Sequence, residues 1–297
     1  MHATLPKIIF FGTEAYSLVT LQTLVERGFA IAAVVTKPDA PKGRGHKLTE
    51  PPVKTFAKAH NIPVWQPSKL RDIADDIVAL RPVAGVLVAY GKIIPQSIID
   101  LFTPGIINVH PSLLPRYRGP SPIEAAIANG DRETGVSIMQ LDAAMDAGPV
   151  YAQTHRPLDG SEAKPLLYDE LFASGSELLA DILPDILSGA LTPTPQQHEA
   201  ATYCQLLNKS QSLITPAAIP AAEADAHVRA HLGFPRTKIT INGVERIITR
   251  AHTADTPRTD LDQRCADGRF LIIDELIAPS GKTMAAEAFL RGHHASH

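Results

Sequence analysis

Gly105-Ile106-Ile107-Asn108-Val109-His110-Pro111-Ser112-Leu113-Leu114-Pro115 is the stretch that decides the fold. Its first five residues form a short, largely apolar run that reads as a strand of a buried parallel sheet. Side chains alternate faces along a strand, so Asn108 and His110 share one side at its carboxyl end. In open parallel sheets that end is where ligands bind. The loop that follows carries Pro115, Arg116, Arg118 and Gly119, with both arginines close to the same edge.

Upstream, strand-like and helix-like segments alternate. Lys7–Phe11, Ile31–Val35, Pro63–Trp65 and Gly85–Ala89 read as strands. Residues 15–27, 51–60, 69–80 and 95–102 between them read as helices. Repeated β-α-β units predict an α/β fold: a doubly wound, mostly parallel, Rossmann-like sheet with helices on both faces. Downstream, 121–129 reads as a helix and 135–157 as two strands with a break at Asp142–Gly148. Residues 165–188 form a long amphipathic helix, and Pro184 predicts a kink or two helices there.

Residues 190–202 are polar and Pro-rich, as linkers are. Beyond them come a helix over 220–232, a hairpin turning at Asn242-Gly243 and strands near 247–252 and 269–276. The expected organisation is a catalytic domain over 1–189, a linker over 190–202 and a β-rich domain over 203–297, barrel-like and similar to an OB fold. Length supports two domains. The net charge of −3 excludes a polycation that grips nucleic acid through a global field. Cys204 and Cys265 have neither CxxC spacing nor nearby paired histidines, so reduced thiols and no metal are expected. No stretch has the ~18 apolar residues of a membrane helix, and no signal-peptide pattern occurs at the start. A cytoplasmic monomer is expected, with His293, His294 and His297 in a frayed tail.

The second informative stretch is Met139-Gln140-Leu141-Asp142-Ala143-Ala144-Met145-Asp146-Ala147-Gly148-Pro149. A carboxylate before Ala-Gly-Pro in a break between strands is a turn former or a functional acid. Asn, His and Asp together suit formyl transfer to an amine. An amide N–H and a protonated imidazole can each donate to the oxyanion that develops on the formyl carbon, and a carboxylate can keep the imidazole charged. Asp142 competes with Asp146 for that role.

Asn108-x-His110, Ser112-Leu-Leu-Pro-x-Tyr-Arg-Gly119 and Asp146-Ala-Gly148 resemble the 10-formyltetrahydrofolate-dependent formyltransferase family. The resemblance spans Phe11 to Lys282 and is strongest over 34–54 and 86–150. It implies that Asn108, His110 and Asp146 are catalytic, that 10-formyltetrahydrofolate is the formyl donor, and that no metal is used. It also implies donor contacts from Val88, Ala89, Tyr90, Gly91, Ser112, Leu113, Leu114, Pro115 and Asp142. Residues 36–54 are similar to the insertion loop of the family's methionyl-tRNA branch, which implies initiator methionyl-tRNA as acceptor, contacted by Lys42, Arg44 and Lys47. Five Lys or Arg stand against two acids over 37–54, a charge balance suited to phosphate.

Three positions depart from the family pattern. Glu14 stands where Pro is usual, Leu213-Ile214-Thr215-Pro216 replaces an acidic-aromatic pair, and Phe234-Pro235 replaces Trp-Pro. Two other readings stay open at this point. One is a related enzyme acting on a small amine, such as an amino sugar or glycinamide ribotide, or on the folate itself. The other is a non-catalytic tRNA-binding module of the same fold.

Overall fold

A computed structural model describes residues 7–42, 45, 47–80 and 84–294; Arg44, His46 and the two termini lie outside them. In chain order the first elements are β1 (Lys7–Gly12), α1 (Ala15–Glu26), β2 (Ala30–Val35), β3 (Ala40–Lys42) and β4 (Lys47–Thr49). Next come α2 (Pro52–Ala59), β5 (Val64–Trp65), α3 (Ala74–Leu80), β6 (Ala84–Val88), α4 (Gln96–Ile99) and β7 (Ile106–His110). Then follow α5 (Pro122–Ala128), β8 (Glu133–Gln140), β9 (Val150–Pro157) and α6 (Lys164–Ser188). The C-terminal part holds α7 (Ala221–Ala230), β10 (Thr237–Ile241), β11 (Val244–Ala254), β12 (Gln263–Arg264), β13 (Phe270–Ile277), β14 (Thr283–Ala285) and α8 (Ala286–His294).

Seven strands form one sheet in the order β5-β2-β1-β6-β7-β8-β9. β5, β2, β1, β6 and β7 are parallel, and β8 runs antiparallel to β7. The chain winds outward from β1 to β2 and β5, then returns to β6 and β7 on the other side. The order therefore reverses beside β1 and β6, which is where a doubly wound sheet opens a ligand crevice. Ile8, Ile9, Phe10 and Phe11 are fully buried, as are Val86, Val88, Ile106 and Ile107. Burial on both faces explains why these strands are apolar runs rather than alternating ones.

Of the two expectations for α6, a kink or two helices, the second does not hold. Pro184 lies inside a single 25-residue helix rather than at a break. Proline removes one N–H donor there, while Leu179, Ala180, Leu183 and Ile186 on either side are buried and keep the helix packed across it. Gly175 in the same helix allows close approach to the sheet, because a Cβ there would lie 2.7 Å from a Val136 methyl carbon.

The chain divides into two compact units that interleave in sequence. The first holds Met1–Arg118, Gly135–Arg156 and Tyr168–Tyr203; the second holds Gly119–Thr134, Pro157–Leu167 and Cys204–His297. Residues 190–202, expected as linker, group with the first unit, and two inner segments group with the second. The second unit carries an antiparallel sheet, β10-β11-β13-β12 with β14 on β13, around Ile239, Ile248, Leu271, Ile273 and Leu276. Asn242 and Gly243 have φ of 50° and 77°, the left-handed pair that a two-residue hairpin requires. α8 reaches His294, so the expected frayed tail is helical at least that far.

Candidate active site

Asn108 and His110 project from the carboxyl end of β7, and both are about 95% buried. The backbone of Asn108 pairs with Leu87 on β6 and Met139 on β8, which fixes it in the middle of the sheet. Asn108 is only 5% exposed.

His110 is held from both ring nitrogens. Nε2 lies 2.9 Å from the Tyr117 carbonyl oxygen. A carbonyl only accepts, so Nε2 carries a proton and donates it there. Nδ1 lies 3.7 Å from Asp146 Oδ2, longer than a direct hydrogen bond and within ion-pair range. The ring face that can serve a reacting group is therefore the Nδ1 side, next to the carboxylate. Asp146 is itself largely buried, with its side chain 16% exposed.

The two loops that supply these partners are strained. Tyr117 has φ of 56° and Asp146 φ of 48°, in the left-handed region that non-glycine residues avoid. Ala89, at the end of β6, is a third such residue at 44°. Each conformation costs about 1–3 kcal/mol, and such residues collect at ligand and reaction sites. Gly148 is required by contact rather than by φ: a Cβ there would lie 2.0 Å from the Gln140 carbonyl oxygen.

The expected donor-binding residues divide. Val88, Ala89, Tyr90 and Gly91 lie at the end of β6, beside β1 at the sheet's reversal. Their carbonyls already accept hydrogen bonds: Val88 from Ser17 Oγ at 2.6 Å, Ala89 from Glu14 N at 3.4 Å and Tyr90 from Thr13 Oγ1 at 3.0 Å. The departure at Glu14 thus supplies an N–H that proline lacks. The Tyr90 side chain is packed inside, whereas the expectation concerned the backbone of this stretch. The Tyr90 ring is 1% exposed, meets Phe11 edge-on at 5.9 Å and belongs to the core, and burial pushes its phenol pKa up. Ser112 is fully buried, and its hydroxyl donates to the Arg116 carbonyl at 2.6 Å inside the loop. Leu113 is partly exposed, and Leu114 is buried before a cis bond to Pro115. Asp142 is exposed, apart from the His110 pair, and lines an open depression of about 450 Å³ with Gln96, Phe102, Gly105 and Gln140.

The stretch at 40–49 is an antiparallel hairpin, with Lys42 opposite Lys47. Lys47 is exposed, and Arg44 falls outside the described residues. The base of the hairpin is pinned. Lys54 Nζ donates to both Asp39 carboxylate oxygens at 2.8 Å, and Gln66 Nε2 donates to Asp39 and to the Lys37 carbonyl. The hydrogen bond from Lys54, aided by Gln66, holds the Asp39 carboxyl below its usual range. Among the described residues no group of three or more His, Cys, Asp or Glu could hold a metal ion, and no helix is long and apolar enough to cross a membrane.

Residues 6–183, more than half of the chain, match the family described as formyl transferase. A methionyl-tRNA formyltransferase of Pelobacter propionicus is 40% identical over 96% of this chain and 92% of its own length. One of Myxococcus xanthus is 39% identical over 97% and 95%. The chain belongs to the methionyl-tRNA formyltransferase family. Solved structures share this formyltransferase fold at lower identity. HypX from Aquifex aeolicus in complex with tetrahydrofolic acid superimposes with a TM-score of 0.67 at 15% identity, over 97% of this chain and 47% of HypX. An N-formyltransferase from Helicobacter canadensis with folinic acid and dTDP-3-aminofucose gives 0.68 at 17% identity, over 91% and 98%.

Sequence reasoning on this formyltransferase chain missed the Tyr117 carbonyl as a partner of His110. A backbone group in a left-handed conformation leaves no mark in residue type when the residue is not glycine. It also missed Gln196 and Thr202, which lie in the stretch that composition assigns to a linker.

Proposed function

We propose that this protein transfers the formyl group of 10-formyltetrahydrofolate to the α-amine of methionyl-tRNA, with Asn108, His110 and Asp146 as the catalytic residues. The amine nitrogen attacks the formyl carbon, and a tetrahedral intermediate forms with negative charge on the former carbonyl oxygen. The Asn108 amide and the His110 Nδ1–H donate to that oxygen. Asp146, beside Nδ1 at 3.7 Å, orients the imidazole and takes part in moving the amine proton to N10 of the folate. The carbon–N10 bond then breaks, giving formylmethionyl-tRNA and tetrahydrofolate. Atoms and charge balance without a covalent enzyme intermediate.

The observation that carries this reading is the pairing of two buried side chains, Asn108 and His110, at the end of β7, with His110 Nδ1 facing the Asp146 carboxylate at 3.7 Å. The hairpin at 40–49, with Lys42 opposite Lys47, favours an acceptor with phosphates over a small amine. The Ala89–Gly91 turn and Leu113 are the surfaces that would cover the folate donor. The first unit would carry the chemistry, and the second unit would meet the tRNA body. The test is formyl transfer from the folate to charged tRNA in competition with a dTDP-amino sugar. Preferential formylation of Met-tRNA is expected; preference for the small amine would contradict the reading.

A further inference from the structure

We infer that residues 194–203, all but the last of which lie in the stretch composition marks as a linker, are a strap that positions both partners of His110. This rests on the reading of His110 and Asp146 as catalytic. Two side chains of the strap reach the two loops. Gln196 Nε2 donates to the Asp146 carbonyl at 2.8 Å and to the Gly148 carbonyl at 2.7 Å. Thr202 Oγ1 accepts from Tyr117 N at 2.9 Å, one peptide away from the carbonyl that holds His110 Nε2. The backbone adds to this grip: Thr202 N donates to the Pro115 carbonyl, Arg118 N to the Thr202 carbonyl, and Val150 and Thr194 exchange hydrogen bonds.

Arg118 makes the strap rigid. Its guanidinium is 2% exposed and donates to Gln196 Oε1 through Nε at 3.1 Å and Nη2 at 2.7 Å. It also donates to His198 Nδ1 and to the Tyr203 hydroxyl. A buried cation on the oxygen of a carboxamide strengthens the N–H groups at its other end. Gln196 therefore links the cation to two backbone carbonyls of the Asp146 loop, and it is itself only 8% exposed. Asp146 and Tyr117 both have left-handed φ, so neither loop holds its shape without outside support. The strap supplies that support in the first unit, on either side of one imidazole. Gln196 and Thr202 are thus positioning residues, acting through Asp146 and Tyr117.

Three variants test this. Gln196→Glu keeps an acceptor for Arg118, gaining charge there, but cannot donate to the two carbonyls. Thr202→Val keeps the shape and removes the acceptor for Tyr117 N, whereas Thr202→Ser retains it. Steady-state kinetics on folded protein, checked by melting temperature, should show kcat lowered about 10–100-fold in Gln196→Glu and in Thr202→Val, as small misplacements of reacting groups do. KM for Met-tRNA and for the folate should stay within about threefold, and Thr202→Ser should restore most of kcat, since the positioning term alone is altered. If Gln196→Glu proves poorly folded, the Thr202 pair decides alone. Parent kcat in Thr202→Val, or equal losses in Val and Ser, would overturn the strap. His110→Ala assayed alongside separates the two claims. A slow His110→Ala with fast strap variants removes the strap and leaves the catalytic reading intact, while a fast His110→Ala removes both.

Discussion

At Asn108 a single side-chain atom separates donor from acceptor. Asn108→Asp keeps the shape but places a carboxylate where the oxyanion develops, so kcat should fall about 10²–10³-fold, the range for losing one such donor. Steady-state assays at saturating folate check this, and an unchanged kcat would remove Asn108 from the chemistry. The second unit carries a different titrating pair. His227 and His231 meet edge-on at 5.1 Å, and neither Nδ1 has a hydrogen-bond partner among the described residues. Burial lowers both pKa values, that of His231 to about 4. A histidine depressed in the folded state is protonated more readily when unfolded. Its neutral form therefore costs nothing above the ordinary pKa near 6.5, and stability is lost progressively as pH falls from there towards 4. The loss from His231 should reach roughly 3 kcal/mol at its full extent. Urea melts at pH 7 and pH 4.5 read it, and His231→Leu should flatten the difference. At this scale the type and spacing of Asn108 and His110 were legible in the sequence. The buried state of Tyr90 and Ser112 was not, because both side chains are turned away by loop geometry that residue type does not encode.

Elements that follow a strict pattern were the most readable. The parallel strands are bounded apolar runs, and the Asn242-Gly243 hairpin carries its own turn chemistry. The short hairpin at 40–49 was not seen as strands, since Pro41 and its lysines lack any alternating apolar face. It is shaped instead by the Lys54–Asp39–Gln66 cluster at its base. Lys54→Met should therefore raise KM for Met-tRNA several-fold, roughly 3–10, while leaving KM for the folate unchanged, because it would loosen only the strand pair proposed to meet the tRNA. Equal KM values would show that the hairpin is indifferent to its anchor. The 140–148 loop depends on a close backbone approach. Gly148→Ala would drive a methyl group against the Gln140 carbonyl, costing about 1–3 kcal/mol of stability and displacing Asp146. Thermal unfolding and kcat should fall together in that variant.

Across the whole molecule, net charge is −3, so attraction to RNA is local rather than global. Lys42 and Lys47, paired in register across β3 and β4, are the cations proposed to meet phosphate. Replacing both by Ala should flatten the dependence of log kcat/KM on log salt concentration by about 1, the effect of losing one or two phosphate contacts. An unaltered slope would send the tRNA contact elsewhere. The division into units was only partly legible. Composition marks residues 190–202 as polar and Pro-rich, yet Gln196 and Thr202 spend their polarity inside the fold, on loops distant in sequence. Such long-range hydrogen bonds have no local signature. The account turns on one proposition, that the Nδ1 side of His110 works on the formyl group beside Asp146 and Asn108. Single-turnover formylation of Met-tRNA with saturating 10-formyltetrahydrofolate measures it most directly. His110→Ala should react about 10²–10⁴-fold more slowly than the parent. A His110→Ala protein that formylates at the parent rate would contradict the account.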